Sequence, residues 1–432
     1  MNTTKPPEQG MAATRTLAAR MSGWQRLMLF LAVMGPGLIT SVVDNDATGI
    51  AGYAIAGTRF GYSLLWVLIL TTLALAVIQE MGARLGSITG KGLADLIRER
   101  FGVRITALAM LVLLIANSTT VVAEFAGVAG ASEIFGVSRY ITVPVAGLLV
   151  FTVVVYGSYR RVEVVLLTGS LVFLTYIVTG FLARPEWGAV AQGSLMPTVH
   201  FTLPYFTVLI GLIGTTITPW MLFYLQSTVV DKGLGEREYA LERLDVYSGS
   251  VILNVVAFFI VVTTAATLFA HGEPADTVTD VARSLRPLAG DFAERLFAIG
   301  LLNASLMAAA VLPLSTAYAV CEAFGWERSV DRPAREAPAF FGLFAGLILI
   351  GLATVLIPGV PLLVLLFLPN VVGGILLPVV LILMLKLVND RRIVGQWVNS
   401  RRQNAVALGA TIAVSALTVA YLAIAILSVT NL

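Results

Sequence analysis

The stretch Val43-Asp44-Asn45-Asp46-Ala47-Thr48-Gly49 interrupts the first long apolar run of the chain. A carboxylate at that depth is costly when it faces hydrocarbon, so Asp46 is expected to face a protein interior or a watery path and to act there. The run is also a poor helix, because Asp, Asn and Thr offer the backbone competing hydrogen bonds and Gly weakens it entropically. A membrane helix broken at a carboxylate frees backbone carbonyls beside a negative charge, which is the arrangement of a cation site near the bilayer midplane.

Working outward, 432 residues of which 58% are hydrophobic and 12% charged, with a mean hydropathy of +0.89, exclude a soluble domain of ordinary composition. The chain reads as an all-α polytopic membrane protein. Apolar segments able to cross about 30 Å of hydrocarbon fall at 28 to 56, 61 to 88, 104 to 132, 138 to 158, 162 to 183, 203 to 230, 247 to 270, 290 to 321, 338 to 357, 361 to 388 and 405 to 430. About eleven transmembrane helices follow, with ends uncertain by a few residues.

Charge orients them. With the N-terminus in the cytoplasm, the outside segments hold only Arg59, Arg139, Arg184, Arg283, Arg286 and Arg295, while nearly all other Lys and Arg residues fall inside. The positive-inside rule therefore predicts a multi-pass protein of the plasma membrane with a cytoplasmic N-terminus. The net charge of +3 is spread over the loops without a basic block, which argues for the lipid bilayer and against nucleic acid as a partner. Residues 1–27 are polar and read as a cytoplasmic segment, and the apolar run behind them is too long for a signal peptide. Cys321 is the only cysteine, so no intrachain disulfide and no Cys metal cluster can form. His200 and His271 both fall in loops, which excludes a His-rich site inside the membrane.

The sixth span carries a second break, Gly214-Thr215-Thr216-Ile217-Thr218-Pro219-Trp220. Pro219 removes a backbone donor and clashes with the preceding turn. Two breaks five spans apart imply two consecutive five-span units of opposite orientation, a 5+5 inverted repeat. The alternative is a pair of ordinary kinks, since Gly and Pro are frequent in membrane helices, but only a site explains the carboxylate. The expected organisation is a cytoplasmic segment at 1–27, a ten-helix transport core at 28–388, and a cytoplasmic loop with an eleventh helix at 389–432.

At these residues the chain resembles the natural resistance-associated macrophage protein (Nramp) family of divalent-metal transporters. The likeness runs through Gly35-Pro36, Phe60-Gly61-Tyr62, Leu64-Leu65-Trp66, Gln79, Ala83-Arg84-Leu85-Gly86 and Thr89-Gly90, resumes at Gly214-Thr215-Thr216 and Pro219-Trp220-Met221-Leu222, and is weaker at Asp390-Arg391-Arg392. The resemblance implies a leucine-transporter-like fold, in agreement with the repeat read from the breaks.

The departures bear on substrate. Where the family carries Asp-Pro-Gly-Asn, this chain has Asp46-Ala47-Thr48-Gly49; where it carries Met-Pro-His, this chain has Thr218-Pro219-Trp220. The carboxylate stays, a side-chain amide is lost to Gly49, a thioether becomes a hydroxyl, and the histidine associated with proton handling becomes an indole. In the third span Val121 replaces an Asp common in the family, and Glu124 is retained. This pattern is similar to the Nramp-related magnesium transporters. Further carbonyl ligands implied by the resemblance are those of Val43 and Thr215.

Oxygen donors without a thioether favour hard ions such as Mg²⁺ and Mn²⁺, and Mg²⁺ keeps several of its waters on one or two carboxylates. A site of Asp46, Thr218 and carbonyls, widened at Gly49, suits a partly hydrated dication carried as substrate, with no cofactor. Glu124 is a candidate secondary cation or proton site. Asp44 would point roughly 200° from Asp46 on a continuous helix, so the two need not share an ion. Glu80 and Arg84, four apart, are expected to pair, and Asn117, Asn254, Asn303 and Asn370 to bridge helices. With Trp220 and Val121 unable to titrate, transport is expected not to be obligatorily proton-coupled. Competing readings are a proton-coupled Mn²⁺ or Fe²⁺ transporter, a trivalent-metal carrier, a sodium-coupled carrier of an organic solute, and an intramembrane aspartyl protease. The protease is disfavoured because Asp44 and Asp46 share one segment, whereas such a dyad needs two elements.

Overall fold

The computed structural model describes residues 36–156, 170–273, 275–327 and 335–430, all of it helix, turn or loop. The polar segment 1–27, the start of the first span at 28–35 and the start of the fifth at 162–169 lie outside the described residues.

The first span is two helices, α1 (Pro36–Asp44) and α2 (Ala47–Phe60). It is followed by α3 (Leu65–Thr89), the short α4 (Leu93–Phe101), α5 (Val103–Ile134), α6 (Arg139–Tyr156), α7 (Leu174–Leu182) and α8 (Trp187–Leu195). The sixth span is again two helices, α9 (Leu203–Thr216) and α10 (Pro219–Asp231). Then come α11 (Tyr239–Thr267), α12 (Val278–Ala282), α13 (Ala293–Phe324), α14 (Pro338–Val355), α15 (Leu362–Val388), α16 (Arg391–Val394) and α17 (Arg401–Thr430).

Among the described residues, eight of the spans read from sequence are helices long and apolar enough to cross a bilayer, while the broken first span and the shorter apolar helices 139–155 and 171–182 fall in the remaining three places. Segments between the spans hold short helices, among them α4, α8 and α16, and α12, where Thr277 and Asp280 form a reciprocal cap and Val278 and Val281 are buried. The polar spacing of that loop hid its short apolar face.

Local chemistry sets the ends. Pro219 opens α10, where a missing amide is harmless. Gly90 ends α3 at φ +63°, a left-handed position that a side chain would strain.

The centre of the bundle is α5 packed against α13 and α15. Around it the halves of the two broken spans pair crosswise: α1 lies on α10, and α2 on α9. Pairing of opposite halves is what a repeat that exchanges the two broken spans produces. Small residues allow the closest crossings. A Cβ placed on Gly214 of α9 would come 2.8 Å from the Gly374 Cα of α15, an approach typical of membrane helices. The outer surface is apolar, with Leu73, Leu148, Val419 and Ile426 exposed, while Asp44, Asp46, Glu80 and Glu124 are buried. Apolar outside and carboxylates inside is the pattern of a lipid-facing bundle with a polar interior.

Candidate functional site

α1 stops at Asp44, and Asp46 takes an extended backbone (φ −77°, ψ −170°) to become the N-cap of α2. Its Oδ1 accepts from the Gly49 amide at 2.8 Å and the Thr48 hydroxyl at 2.6 Å, satisfying donors that a helix start leaves open. Among the described residues no backbone hydrogen bond joins α1 to α2. The Ala47 amide, which would otherwise close a turn on the Val43 carbonyl, donates at 3.4 Å to Glu124 Oε2 on α5.

In the sixth span the Ile217 amide still bonds to the Ile213 carbonyl at 2.9 Å. Beyond it Thr218 is extended (φ −87°, ψ 141°), and Pro219 has no amide to return to the Thr215 carbonyl. The Thr218 hydroxyl donates across the gap to Asp44 Oδ1 at 3.0 Å. Two further contacts hold the breaks together. The Tyr53 and Thr216 hydroxyls are 3.2 Å apart between α2 and α9, and Asn370 on α15 donates to the Thr48 carbonyl at 2.8 Å.

The site is closed on all sides. Asp44 and Asp46 are each 1% exposed, Glu124 0%, Thr215 1% and Thr218 8%. Several polar atoms inside it have no hydrogen-bond partner: Asp44 Oδ2, Asn45 Oδ1, Glu124 Oε1, Thr215 Oγ1 and Trp220 Nε1. Such groups are costly unless something meets them. Among the described residues no three His, Cys, Asp or Glu side chains are grouped closely enough to hold a metal by themselves. A cation here would therefore also need hydroxyls, carbonyls or its own water. The donors are oxygen. The nearest sulfur in the second break, Met221 Sδ, is 3.4 Å from Gln79 Nε2.

The structure thus brings Asp46, Thr218, Glu124, Val43 and Thr215 to the two breaks. It also adds Asp44, which the 200° argument had set apart; that argument assumed a continuous helix, and the helix ends at Asp44. Gly49 does not widen the site as expected. A Cβ there would lie 2.8 Å from the Asp44 carbonyl oxygen, so the space is filled by backbone. Trp220 packs its ring against Tyr224 at 5.8 Å between centroids. Val121 is buried on α5, near Glu124. Away from the breaks, an open hollow of about 780 Å³ is lined by Arg100, Lys386, Asp390 and Arg392, and Arg100 pairs there with Asp390 at 2.6 Å.

Other expectations divide. Glu80 and Arg84 do pair, at 3.3 Å. Asn117 bridges α5 to Thr316 of α13 at 2.6 Å, but Asn254 donates to the Ser250 carbonyl of its own helix at 3.1 Å, because a carbonyl one turn back is the nearest acceptor.

Comparison with known proteins follows from this geometry. Residues 37–424 match the family described as natural resistance-associated macrophage protein-like (Nramp). The divalent metal cation transporter MntH of Ralstonia nicotianae is 32% identical over 413 residues, 89% of this chain and 88% of its own length. The crystal structure of the Eremococcus coleocola manganese transporter superposes with a TM-score of 0.74 over 92% of this chain and 87% of its own, at 20% identity. Mhp1, a nucleobase-cation-symport-1 family transporter in a closed conformation, reaches 0.54 over 91% and 90%, at 15% identity. The two structural likenesses are of fold, and they are to the leucine-transporter-like arrangement of paired five-helix repeats. With its matching span enclosing both breaks, the chain belongs to the Nramp family, and it is a membrane transporter and not an enzyme.

Proposed function

We propose that this protein carries Mg²⁺, with Mn²⁺ as a competing substrate, by alternating access around the two breaks and without obligatory proton coupling. The observation that carries the reading is the donor set at the two breaks: the Asp46 carboxylate of the first and the Thr218 hydroxyl of the second are buried oxygen donors, and Met221, the sulfur of the second break, contacts Gln79 instead. Carboxylates, hydroxyls, carbonyls and water suit Mg²⁺ and Mn²⁺. Asp46 supplies charge, Val43 and Thr215 supply carbonyls, and Glu124 stands behind Asp46 as a secondary group. Gly49 leaves the Asp44 carbonyl room, and Trp220 walls the site where a titratable ring would have served proton transfer.

With the N-terminus in the cytoplasm of a plasma membrane, the 28–388 core would rock its broken spans against the remaining scaffold, and 389–432 would flank it. A membrane potential negative inside drives a dication inward by about 4.6 kcal/mol per 100 mV, which suffices without protons. The names of the relatives, a divalent metal cation transporter and a manganese transporter, support Mn²⁺, and the second reading is a proton-coupled Mn²⁺ or Fe²⁺ transporter.

Uptake by the purified protein in liposomes separates the two. Saturable Mg²⁺ entry without internal acidification is expected; Mn²⁺ entry with acidification and no Mg²⁺ flux would establish the second reading instead.

A further inference from the structure

We propose that Asp44 is a direct ligand of the transported cation, a second carboxylate of the site, and that the Thr218 hydroxyl, itself one of the site's donors, also aims it. The inference rests on the metal-transport reading and names a residue that the family resemblance does not require.

Four observations converge. Asp44 is the last residue of half-helix α1, and the carbonyl end of a helix favours a cation. Its Oδ1 is fixed by the Thr218 hydroxyl at 3.0 Å, while its Oδ2 is buried without a partner. Asp46, by contrast, already spends Oδ1 on two donors in capping α2, so the less committed carboxylate is that of Asp44. Among the described residues no Lys or Arg pairs with Asp44, Asp46 or Glu124, and the neighbouring Asn45 Oδ1 and Thr215 Oγ1 are buried and unpartnered as well. Unmet oxygens with no cationic side chain to meet them fit a cation supplied from outside.

The bond from Thr218 spans the two breaks, one from each repeat. Whatever moves α10 relative to α1 therefore moves the Asp44 carboxylate, so ligand geometry and repeat movement are linked through one hydroxyl.

The test is Mg²⁺ and Mn²⁺ titration of the full-length purified protein in detergent, with the metal-free melting temperature recorded for each variant. Asp44→Asn keeps an oxygen for Thr218 and removes the charge; affinity for both ions should fall at least about tenfold with little change in melting. Thr218→Val should cost less affinity than Asp44→Asn, because it removes a neutral oxygen and the aim of the carboxylate but no charge. If the Asn variant does not fold, Asp44→Ser replaces it with the same expected loss. Wild-type affinity in a folded Asp44 variant, with melting lowered instead, would overturn the proposal and leave Asp44 as a structural partner of Thr218. Failure of the wild-type protein to bind either ion would overturn the metal-transport reading itself.

Discussion

Two buried clusters of this protein are built around carboxylates and are finished differently. In the first, Glu80 of α3 accepts from the Tyr239 hydroxyl, accepts from Gln403 at 2.9 Å and pairs with Arg84 at 3.3 Å. Arg84 in turn donates to the Trp397 carbonyl at 3.0 Å and to Asn399. One atom of the pair, Arg84 Nε, lacks a partner. In the second, at the breaks, Asp44, Asn45, Glu124, Thr215 and Trp220 each leave a buried polar atom unmet. Both clusters are hidden from solvent. The first is internally paired and ties α3, α11 and α17 together, which is the form of a structural strut. The second is short of cations and rich in oxygens, in keeping with the proposed cation site.

Substitutions that separate stability from binding test this contrast. Asp46→Ala has the largest effect on function: Mg²⁺ uptake by reconstituted protein should fall to the level of empty liposomes, and uptake at the wild-type rate would remove Asp46 from the site. Arg84→Ala has the largest effect on stability, because it strands Glu80 in the interior at a cost of about 3–5 kcal/mol. Thermal unfolding should show that loss, and an unchanged midpoint would mean that the cluster is no strut.

Thr218→Met sharpens the comparison from the side of the ion. A thioether beside Asp44 should move the binding preference from Mg²⁺ toward Cd²⁺ by about tenfold, or about 1.4 kcal/mol, read from competition titrations. Asn117→Ala removes the bridge to Thr316, and the loss expected for one such bond inside a membrane bundle is about 0.6–1.7 kcal/mol.

The smallest effect belongs to Asp390, in the loop beyond α15. The Arg392 amide at 2.9 Å and then the Arg100 guanidinium at 2.6 Å hold its carboxyl below the usual carboxylate range. A depressed folded value means that the contribution is present above the ordinary Asp value of about 3.9 and disappears as pH falls through the folded value. Asp390→Asn should therefore melt slightly below wild type at neutral pH and together with it at strongly acidic pH. A gap that persists in acid would assign the difference to packing.

The sequence was informative wherever the cause was local. Pro219 and the Asp-Asn-Asp run announce the breaks because backbone chemistry acts within one turn, and the spacing of Glu80 and Arg84 announces their pair. The partners Tyr239, Asn399 and Gln403 were not legible, since nothing local marks a residue that arrives from a distant helix. The angle of about 200° between Asp44 and Asp46 carries no weight here, because such an angle has meaning only within one continuous helix and the chain unwinds between them. Gly49 was read as empty space because a missing side chain looks like a vacancy in sequence, whereas the backbone of the same break fills it.

The central claim is that a dication sits between the two breaks, held by oxygens of both spans. Crystals of the Mn²⁺-loaded protein, with anomalous diffraction at the manganese edge, test it most directly. The account expects one peak about 2.0–2.6 Å, the range of oxygen-bound dications, from carboxylate oxygens of Asp44 and Asp46, with Thr218 alongside. A peak away from both breaks, or none in a protein that still transports, would contradict it.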